Sequence, residues 1–375
     1  MPASQPINAT CESTSATRPS VHDLAKWLSL SPSTVSRALN GRPGVRPKTL
    51  KRVTRAAERY GYVPNLQAQA LRTGSNRQVG VLIPSLAGPP FPELIHSMHR
   101  HARAAGYDIS LNVSEWDVDN ERDICRHLLS RRVAGLVSLS IADPAQTEHL
   151  RQLRDAGVPV LVINSAPLDI EGAAQLQVDA PAAMGGLARH LLELGHQHIV
   201  VIGIGPDWRD NPVHRSRLAA IREAVRTCRP DVDPDAVIEL IPSPEDQPMD
   251  TAESGHAAVT QRLAAGGPLP TAIQAVNDYV AMCAVWALQH HSYRVPEDVS
   301  VTGYGDVGMA GLMHPSLTTA SKTRHDLGKL AFERMLTMID GEDDPSPRSL
   351  LPEVVVRGST AATSRTAVRC GSSFH

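Results

Sequence analysis

Residues 31–41 read SPSTVSRALNG, and their pattern predicts a short helix with one exposed polar face. Ser31 can cap this helix, and Pro32 suits its first position because the N–H that proline lacks has no intrahelical partner there. The apolar residues lie on one face at helical spacing, namely Val35, Ala38 and Leu39. The other face carries small polar side chains and one arginine: Ser33, Ser36, Arg37 and Asn40.

A helix on each side completes a three-helix unit. The first helix follows Ser20, its predicted N-cap, and its apolar face carries Val21, Leu24, Ala25 and Leu28. The third runs from about residue 47 to residue 60, and four of its residues are expected to point inward: Leu50, Val53, Ala56 and Ala57. The short break over residues 29–31 is typical of a helix-turn-helix. A three-helix domain without a nucleic-acid partner is the alternative at this point.

The charge of the chain is divided unevenly between this unit and the rest. From Arg18 to Arg77 the chain has twelve Lys or Arg residues against only Asp23 and Glu58, a net charge of +10. Because the whole chain has a net charge of -2, the remaining residues carry -12. A basic head on an acidic body indicates a polyanionic partner for the head, with a merely solvated basic face as the alternative. Small polar side chains and an arginine suit base edges and phosphates in the major groove.

After Gly74 the pattern changes to short β-rich runs separated by helical stretches. The runs cover residues 79–83, 107–113, 135–139, 158–163, 198–202, 237–241, 272–276 and 299–302. This alternation predicts parallel sheets covered on both faces. A break near residues 164–178 and later strands near 317–320 and 353–357 favour two subdomains joined by several crossings. The predicted fold is a small all-α helix-turn-helix head followed by an α/β body of two parallel-sheet subdomains.

Longer motifs give a specific resemblance. Residues 31–41, AAERYGYVPN over residues 56–65 and PNLQAQALR over residues 64–72 resemble the recognition helix, its sequel and the hinge helix of the lactose-repressor (LacI/GalR) family of bacterial regulators. The resemblance runs from about residue 20 to residue 358. It implies a sequence-specific transcriptional regulator, usually a repressor, whose binding to operator DNA is controlled by a small-molecule effector. For the body it implies the type I periplasmic-binding-protein fold, with the effector in the cleft between the subdomains.

The resemblance also implies which residues of the head and hinge contact DNA. They are Ser31, Pro32, Ser33, Thr34, Ser36, Arg37 and Asn40 in the head, and Ala68 and Leu71 in the hinge. Pro32 and Ser33 occupy the variable positions that set operator choice. Leu71 matches the leucine that wedges into the minor groove and bends the duplex, with Ala68 beside it. The turn departs from the family at Ser29, where glycine is frequent, and this affects the angle between the two helices.

Motifs of the body resemble the family's effector site. GVLIP over residues 80–84 with PFPEL over residues 90–94, RLAAI over residues 217–221 and VND over residues 276–278 match its first strand and effector-lining turn, an arginine-led helix and a ligand-binding acid. The effector contacts implied are Phe91, Asn164, Arg217 and Asp278. A guanidinium and a carboxylate can bind the hydroxyls or the carboxylate of a polar ligand. A structural Arg–Asp pair across the subdomain interface is the alternative.

These observations divide the chain into five segments. We expect a disordered extension over residues 1–19, the head over 20–63, the hinge over 64–77, the effector-binding and dimerisation domain over 78–358, and a disordered tail over 359–375. One helix-turn-helix reads only a few base pairs, so we expect a homodimer on a nearly palindromic operator. The resemblance favours a sugar or a sugar derivative as the effector.

Other chemistries are not indicated. No run of about 18 apolar residues could span a bilayer, and the first twenty residues lack the pattern of a secretory signal. The five cysteines are scattered, which fits a reducing cytoplasm and neither a disulfide framework nor a zinc site. We find no catalytic constellation, and we expect no metal and no cofactor.

Two other classes of protein are alternatives to a DNA-binding regulator. A free solute-binding protein of a transporter would need a signal peptide and would not need the basic head. A sugar-processing or nucleotide-dependent enzyme on the same sheets would need catalytic groups that the sequence does not present together. A gel-shift experiment with DNA separates the regulator from both.

Overall fold

The computed structural model of the chain describes residues 19–39, 43–62, 76–86, 91–139, 146–164, 173–204, 212–242, 252–321, 327–342 and 347–363. Its contacts divide the chain into two compact units, residues 1–74 and residues 75–375. The division lies inside the predicted hinge. Each unit has its own hydrophobic core.

The first unit is the predicted three-helix head. Its helices are α1 (Val21–Leu28), α2 (Pro32–Leu39) and α3 (Pro47–Arg59). Ser20 caps α1 as predicted: its hydroxyl accepts the Asp23 amide at 3.2 Å, and the Asp23 carboxylate accepts the Ser20 amide at 2.8 Å. One small core fixes the three helices, and it consists of Leu24, Ala25, Leu28, Val35, Ala38, Val53 and Ala56.

The conformation of Ser29 fits its departure from the family, and the exposure of Leu50 corrects a predicted core residue. Ser29 ends α1 in the left-handed region, with φ 51° and ψ 46°, a conformation that costs a non-glycine residue about 1 kcal/mol. This explains why glycine is frequent at the position. Leu50 was predicted to point inward, but 38% of it is exposed. The prediction was wrong because Val53 and Ala56 alone provide the buried face of α3.

The body contains two six-stranded sheets. The first has the strand order β11-β5-β4-β3-β1-β2 and the second β12-β10-β9-β8-β6-β7. All neighbouring pairs are parallel except β10 with β12. The strands are β1 (Gln78–Ile83), β2 (Asp108–Val113), β3 (Gly135–Ser138), β4 (Val160–Asn164), β5 (Ala174–Val178), β6 (Ile199–Ile204), β7 (Ile238–Pro242), β8 (Ala272–Ala275), β9 (Ser300–Gly305), β10 (Thr318–Ser321), β11 (Arg348–Leu350) and β12 (Glu353–Val355). The two-sheet α/β fold predicted from the sequence is confirmed.

Helices cover both faces of each sheet, as parallel sheets require. They are α4 (Phe91–Ala104), α5 (Val118–Ser130), α6 (Glu148–Asp155), α7 (Ala180–Glu193), α8 (Pro212–Cys228), α9 (Ala252–Ala264), α10 (Asp278–His290) and α11 (Leu327–Ile339), with short 3-10 helices at Pro234–Ala236 and Gly308–Gly311. On the first sheet, α4 and α11 cover one face, and α5 and α6 cover the other. The second sheet lies between α7 with α8 and α9 with α10.

The chain passes between the two sheets three times. It leaves the first sheet after β5 to form α7, returns after β10 to form α11, and crosses again between β11 and β12. We call the part built on the first sheet the first subdomain and the part built on the second sheet the second subdomain. Three crossings join the two and leave the carboxyl ends of their parallel strands available for a cleft.

The segment that follows residue 358 departs from prediction. Residues 359–375 were predicted to be disordered, yet Ser359 is fully buried and its hydroxyl donates to the Val301 carbonyl at 2.6 Å. The same hydroxyl accepts the Thr318 amide at 2.8 Å, and the Thr363 amide donates to Leu194 at 2.9 Å. Residues 359–363 therefore belong to the second subdomain. Their polar composition concealed this because the contacts are hydrogen bonds rather than apolar packing.

The cysteines also depart in part from expectation. Cys125 and Cys283 are free. Cys228, at the end of α8, is disulfide-bonded, although the scattered cysteines gave no reason to expect a disulfide framework.

The buried His196 makes the stability of the body sensitive to acid. The pKa of His196 is lowered from 6.5 to about 4, mainly by burial and in smaller part by the neighbouring His190, while a hydrogen bond to the Ala361 backbone opposes the shift. The unfolded chain therefore binds more protons between these two pH values. The stability that depends on neutral His196 is complete above about pH 6.5 and is lost as the pH falls toward 4.

We expect the free energy of unfolding to fall by up to about 3 kcal/mol over this range because of His196. In a His196→Gln variant this part of the pH dependence should disappear, whatever the effect on stability at neutral pH. The exposed His291 is a matched control, and His291→Gln should keep the wild-type slope. Denaturant unfolding between pH 7 and pH 4 measures the slopes. Equal slopes for wild type and His196→Gln would contradict the assignment.

Candidate functional site

Helix α2 presents the polar surface predicted from residues 31–41. Ser31, Pro32, Ser33 and Arg37 are exposed, whereas Val35 and Ala38 are buried. Thr34 and Ser36 are partly buried at the edge of this surface. The predicted DNA contacts Asn40, Ala68 and Leu71 lie outside the described residues.

A cluster of hydroxyl groups marks the start of α2. The Ser31 hydroxyl lies 2.9 Å from that of Ser33 and 2.8 Å from that of Thr34. It also accepts the Thr34 amide at 3.2 Å, which makes Ser31 the cap that the sequence predicted. The three hydroxyls are thus held in fixed positions at the amino end of α2, where the helix dipole favours an anionic partner.

Arg52 has a structural contact that the sequence did not suggest. Its guanidinium, carried by α3, donates to the Leu28 carbonyl at the end of α1 at 2.7 Å. This bond connects α3 to the turn that sets the direction of α2. Sequence reasoning counted Arg52 only as one cation of the basic head, because nothing in the local pattern distinguishes it from its neighbours.

The remaining cations of α3 and the residue before it face the solvent. The exposed basic residues are Arg46, Lys48, Lys51, Arg55 and Arg59. A second connection between helices lies beside them, since the exposed rings of Trp27 and Tyr60 pack with their centroids 4.4 Å apart. An exposed set of cations next to a polar helix is the kind of surface that binds phosphate backbones.

In the body, the predicted Arg217 lies near the end of β9. The centre of its guanidinium is 5.9 Å from the ring centroid of Tyr304. Its Nε atom is buried and has no hydrogen-bond partner among the described residues. Burial raises the pKa of Tyr304 to about 12, an effect that the charge of Arg217 opposes. A cation over an aromatic ring with an unused buried donor is suited to bind a polar ligand.

Asp278 begins α10 and is fully buried. One carboxylate oxygen accepts the Thr319 hydroxyl at 2.5 Å, and the other accepts the Val307 amide at 2.8 Å. Gly303 makes room for this carboxylate, because a Cβ atom there would clash with it. Nothing in the sequence assigned Thr319 or Gly303 a role beside Asp278, because both are distant from it in the chain.

The described contacts do not show the structural Arg–Asp pair that the sequence left open as an alternative. Arg217 and Asp278 both interact electrostatically with Tyr304, but the described contacts include no ion pair between them. Asp278 also differs from a carboxylate that faces an open cleft, because both of its oxygens accept hydrogen bonds from the protein itself. The structure brings Arg217, Tyr304 and Asp278 together in the second subdomain.

The other two predicted effector residues belong to the first subdomain. Asn164 ends β4, and both polar atoms of its side chain are buried without a partner within the described ranges. Unpaired buried amide groups are costly, so they indicate a position that a ligand or water completes. Phe91 begins α4 and is partly buried against the core of the first subdomain.

In the part of the chain that the structure describes, no three or more His, Cys, Asp or Glu side chains lie close enough to hold a metal ion. No helix of the described ranges has both the length and the apolar character needed to cross a membrane.

Two family models match the chain. Residues 20–65 match the bacterial regulatory proteins of the lacI family, and residues 188–360 match the periplasmic binding protein-like domain. The first match covers the head and the second covers most of the second subdomain.

Whole-length relatives and solved structures agree with these matches. The transcriptional regulator MalR of Streptomyces coelicolor is 32% identical over 349 residues, covering 91% of this chain and 96% of MalR. The repressor PurR of Aliivibrio salmonicida is 28% identical, covering 90% and 98%. The crystal structure of the lac repressor dimer bound to operator and the anti-inducer ONPF has a TM-score of 0.76 at 26% identity, covering 92% and 100%. The regulator CelR in complex with cellobiose has a TM-score of 0.62 at 25% identity, covering 91% and 100%.

The bond from Arg52 should matter more for the fold of the head than the other cations of α3. Arg52→Met removes it and should lower the free energy of unfolding of the head by about 1 kcal/mol. Arg55→Met is the matched control, because Arg55 is exposed on the same helix, and it should leave stability nearly unchanged. Thermal melts of the full chain measure both, followed by the fluorescence of Trp27 in a background where the other three tryptophans are replaced by phenylalanine. Equal stability of the two variants would contradict the structural role of Arg52.

Proposed function

The chain belongs to the lacI family of bacterial regulatory proteins, and on this premise we propose that it is a transcriptional repressor that binds operator DNA as a homodimer under the control of a small molecule. The observation that carries the proposal is the pairing, in one chain, of two features. One is a basic head whose exposed helix α2 is polar. The other is a two-sheet body whose carboxyl strand ends hold unpaired polar groups.

For DNA, α2 enters the major groove with its exposed polar face toward the bases. Arg37 reads a base edge or a phosphate, and the hydroxyls of Ser31, Ser33 and Thr34 contact the backbone and base edges. Their support is the fixed hydroxyl cluster and the exposure of Arg37. By the family resemblance, Asn40 joins them, and Leu71 with Ala68 enters the minor groove at the operator centre.

For the effector, Arg217 donates to the ligand over the face of Tyr304, and Asn164 and Phe91 contact it from the first subdomain. Asp278 takes part with lone pairs beyond those that accept Thr319 and Val307, since a carboxylate has about four acceptor positions. The ligand class is a sugar or a sugar derivative, a proposal supported by the similarity to the cellobiose-bound CelR. Because the site contains groups from both subdomains, effector binding favours one subdomain arrangement over another.

For the homodimer, the second subdomain offers an exposed aromatic surface. The Trp286 side chain on α10 is 58% exposed, and its ring packs 4.5 Å from that of His256 on α9. An exposed tryptophan supported by a neighbouring ring is a frequent anchor of protein interfaces. We place a second copy of the chain there, in keeping with the similarity to the lac repressor dimer. The protein acts in the cytoplasm, and its function is regulation rather than catalysis.

Arg37→Ala should weaken binding to an operator duplex by about 1–3 kcal/mol if Arg37 reads a base. If Arg37 binds a phosphate instead, a plot of the logarithm of the binding constant against the logarithm of the salt concentration should be about one unit less steep. Arg226→Ala, on the exposed surface of α8, is the matched control and should bind like wild type. Fluorescence anisotropy at several salt concentrations measures both. Unchanged affinity and unchanged slope for Arg37→Ala would remove it from the interface.

Leu71→Ala should bind the operator more weakly and bend it less, because the wedge that unstacks a base step is shortened. A phasing assay or energy transfer across the duplex measures the bend. Equal bending by wild type and Leu71→Ala would refute the wedge. The variant should bind effector normally.

Arg217→Ala should abolish the response to effector and leave effector-free operator affinity within about twofold of wild type. Asp278→Asn should reduce the response and also lower stability, because one accepting oxygen is replaced by an amide. A thermal-shift screen of sugars, sugar acids and nucleobases identifies the effector, and operator titrations with it measure the response. If folded dimers of Arg217→Ala lose operator binding, the residue is structural and not part of the sensor.

Wild type should sediment as a dimer, and Trp286→Ala should shift the equilibrium toward monomer because the anchor is removed. Analytical ultracentrifugation at several concentrations measures the shift. Leu351→Ala, another exposed apolar residue of the body, is the control and should remain dimeric. A wild-type monomer both alone and on operator DNA would contradict the homodimer.

A further inference from the structure

One hydrogen bond joins the two subdomains at the cleft. The amide of Gly308 donates to the Glu93 carboxylate at 3.2 Å. Glu93 lies in the first turn of α4 in the first subdomain, and Gly308 begins a 3-10 helix in the second. The two residues are 215 positions apart in the chain, so the bond depends on the arrangement of the subdomains.

The loop that carries Gly308 is firmly attached to the second subdomain. The preceding amide, that of Val307, donates to Asp278 at 2.8 Å. Asp306 has a left-handed φ of 53° and accepts the Arg357 guanidinium at 2.6 Å. Arg357 also donates to the Leu317 carbonyl at 2.9 Å. The loop therefore moves with Asp278 and with the rest of the second subdomain.

Two adjacent amides thus donate to two carboxylates of different subdomains. The Val307 amide donates to Asp278, which we have placed in the effector site, and the Gly308 amide donates to Glu93 of the other subdomain. Because the two amides are adjacent in one loop, a ligand that drew Asp278 away from the Val307 amide would also displace the Gly308 amide. By reciprocity, a shift of Glu93 would alter the hydrogen bonding of Asp278 through the same loop.

We propose that Glu93 is a positioning residue of the effector site, which acts through the loop over residues 306–308 and reports the state of Asp278 to the first subdomain. The inference rests on the proposed function. Helix α4 follows β1, the first strand of the body after the hinge. A change at Glu93 therefore reaches the subdomain from which the hinge extends, without any contact between Glu93 and the effector.

One substitution in the loop over residues 306–308 should keep the hydrogen bond from the residue 308 amide to the Glu93 carboxylate. Among the described residues, a Cβ atom on Gly308 would meet the Glu93 carboxylate alone, at 3.8 Å, which is an ordinary contact distance. Gly308→Ala should therefore behave like wild type. Glu93→Gln keeps a carbonyl acceptor and should retain most of the effect, whereas Glu93→Ala removes the acceptor. Glu148→Ala is the matched control, since Glu148 is an exposed acid in the first turn of α6 in the same subdomain.

Hydrogen–deuterium exchange of the full chain tests the bond without an effector. In Glu93→Ala, amide exchange in the peptide that covers residues 305–311 should be about fivefold faster than in wild type. Glu93→Gln should lie near wild type, and Glu148→Ala should equal it. The melting temperatures of the variants should agree, because an exposed hydrogen bond contributes little to overall stability. Unchanged exchange in Glu93→Ala would overturn the proposal.

Operator binding tests the positioning role itself. With an operator duplex as the probe, the dissociation constant of Glu93→Ala should differ from that of Glu148→Ala by about threefold or more. The dissociation constant of Glu93→Gln should lie close to that of wild type. If wild type binds the operator, and Glu93→Ala binds it with the same affinity as Glu148→Ala, this inference is overturned and the proposed function stands. A wild type that binds no operator would refute the proposed function, while the exchange experiment would still decide whether the bond exists.

Discussion

The buried carboxylate of Asp278 is the constraint on which the second subdomain depends. A fully buried carboxylate is tolerated only when its oxygens are hydrogen-bonded, and here the partners come from β10 and from the loop after β9, through Thr319 and Val307. The same requirement explains Gly303, which leaves space for the carboxylate on β9. Because this one carboxylate joins three segments, its loss should disturb the start of α10, β10 and the loop after β9 together.

The head depends on a comparable set of local bonds. Its core is small, so two contacts at the turn between α1 and α2 help to fix the direction of α2: the left-handed Ser29 and the bond from Arg52 to the end of α1. These contacts hold α2 with its polar face outward. A recognition helix needs such support because base contacts require the side chains to be held in register with the groove.

Periodicity and capping signals were sufficient to predict α1 to α3, the cap of Ser20 and ten of the twelve strands, because each depends on its own local sequence. Strand β5 was missed because its buried Gln175 breaks the apolar pattern and is held by Arg334 from α11. Strand β11 has three residues and exists only through its pairing with β5. For the candidate site, the resemblance predicted Arg217 and Asp278, whereas the burial of Asp278 and the contact of Arg52 depend on partners distant in the chain.

In the function that we propose, the head and body together form a sequence-specific DNA-binding sensor. The most direct test of this function is selection of bound duplexes from a random-sequence DNA library by the full-length chain. The selected duplexes should converge on two inverted half-sites related by a two-fold axis, with the strongest base preferences under α2. If folded, dimeric protein retains the library without convergence, the chain is not a sequence-specific DNA-binding protein.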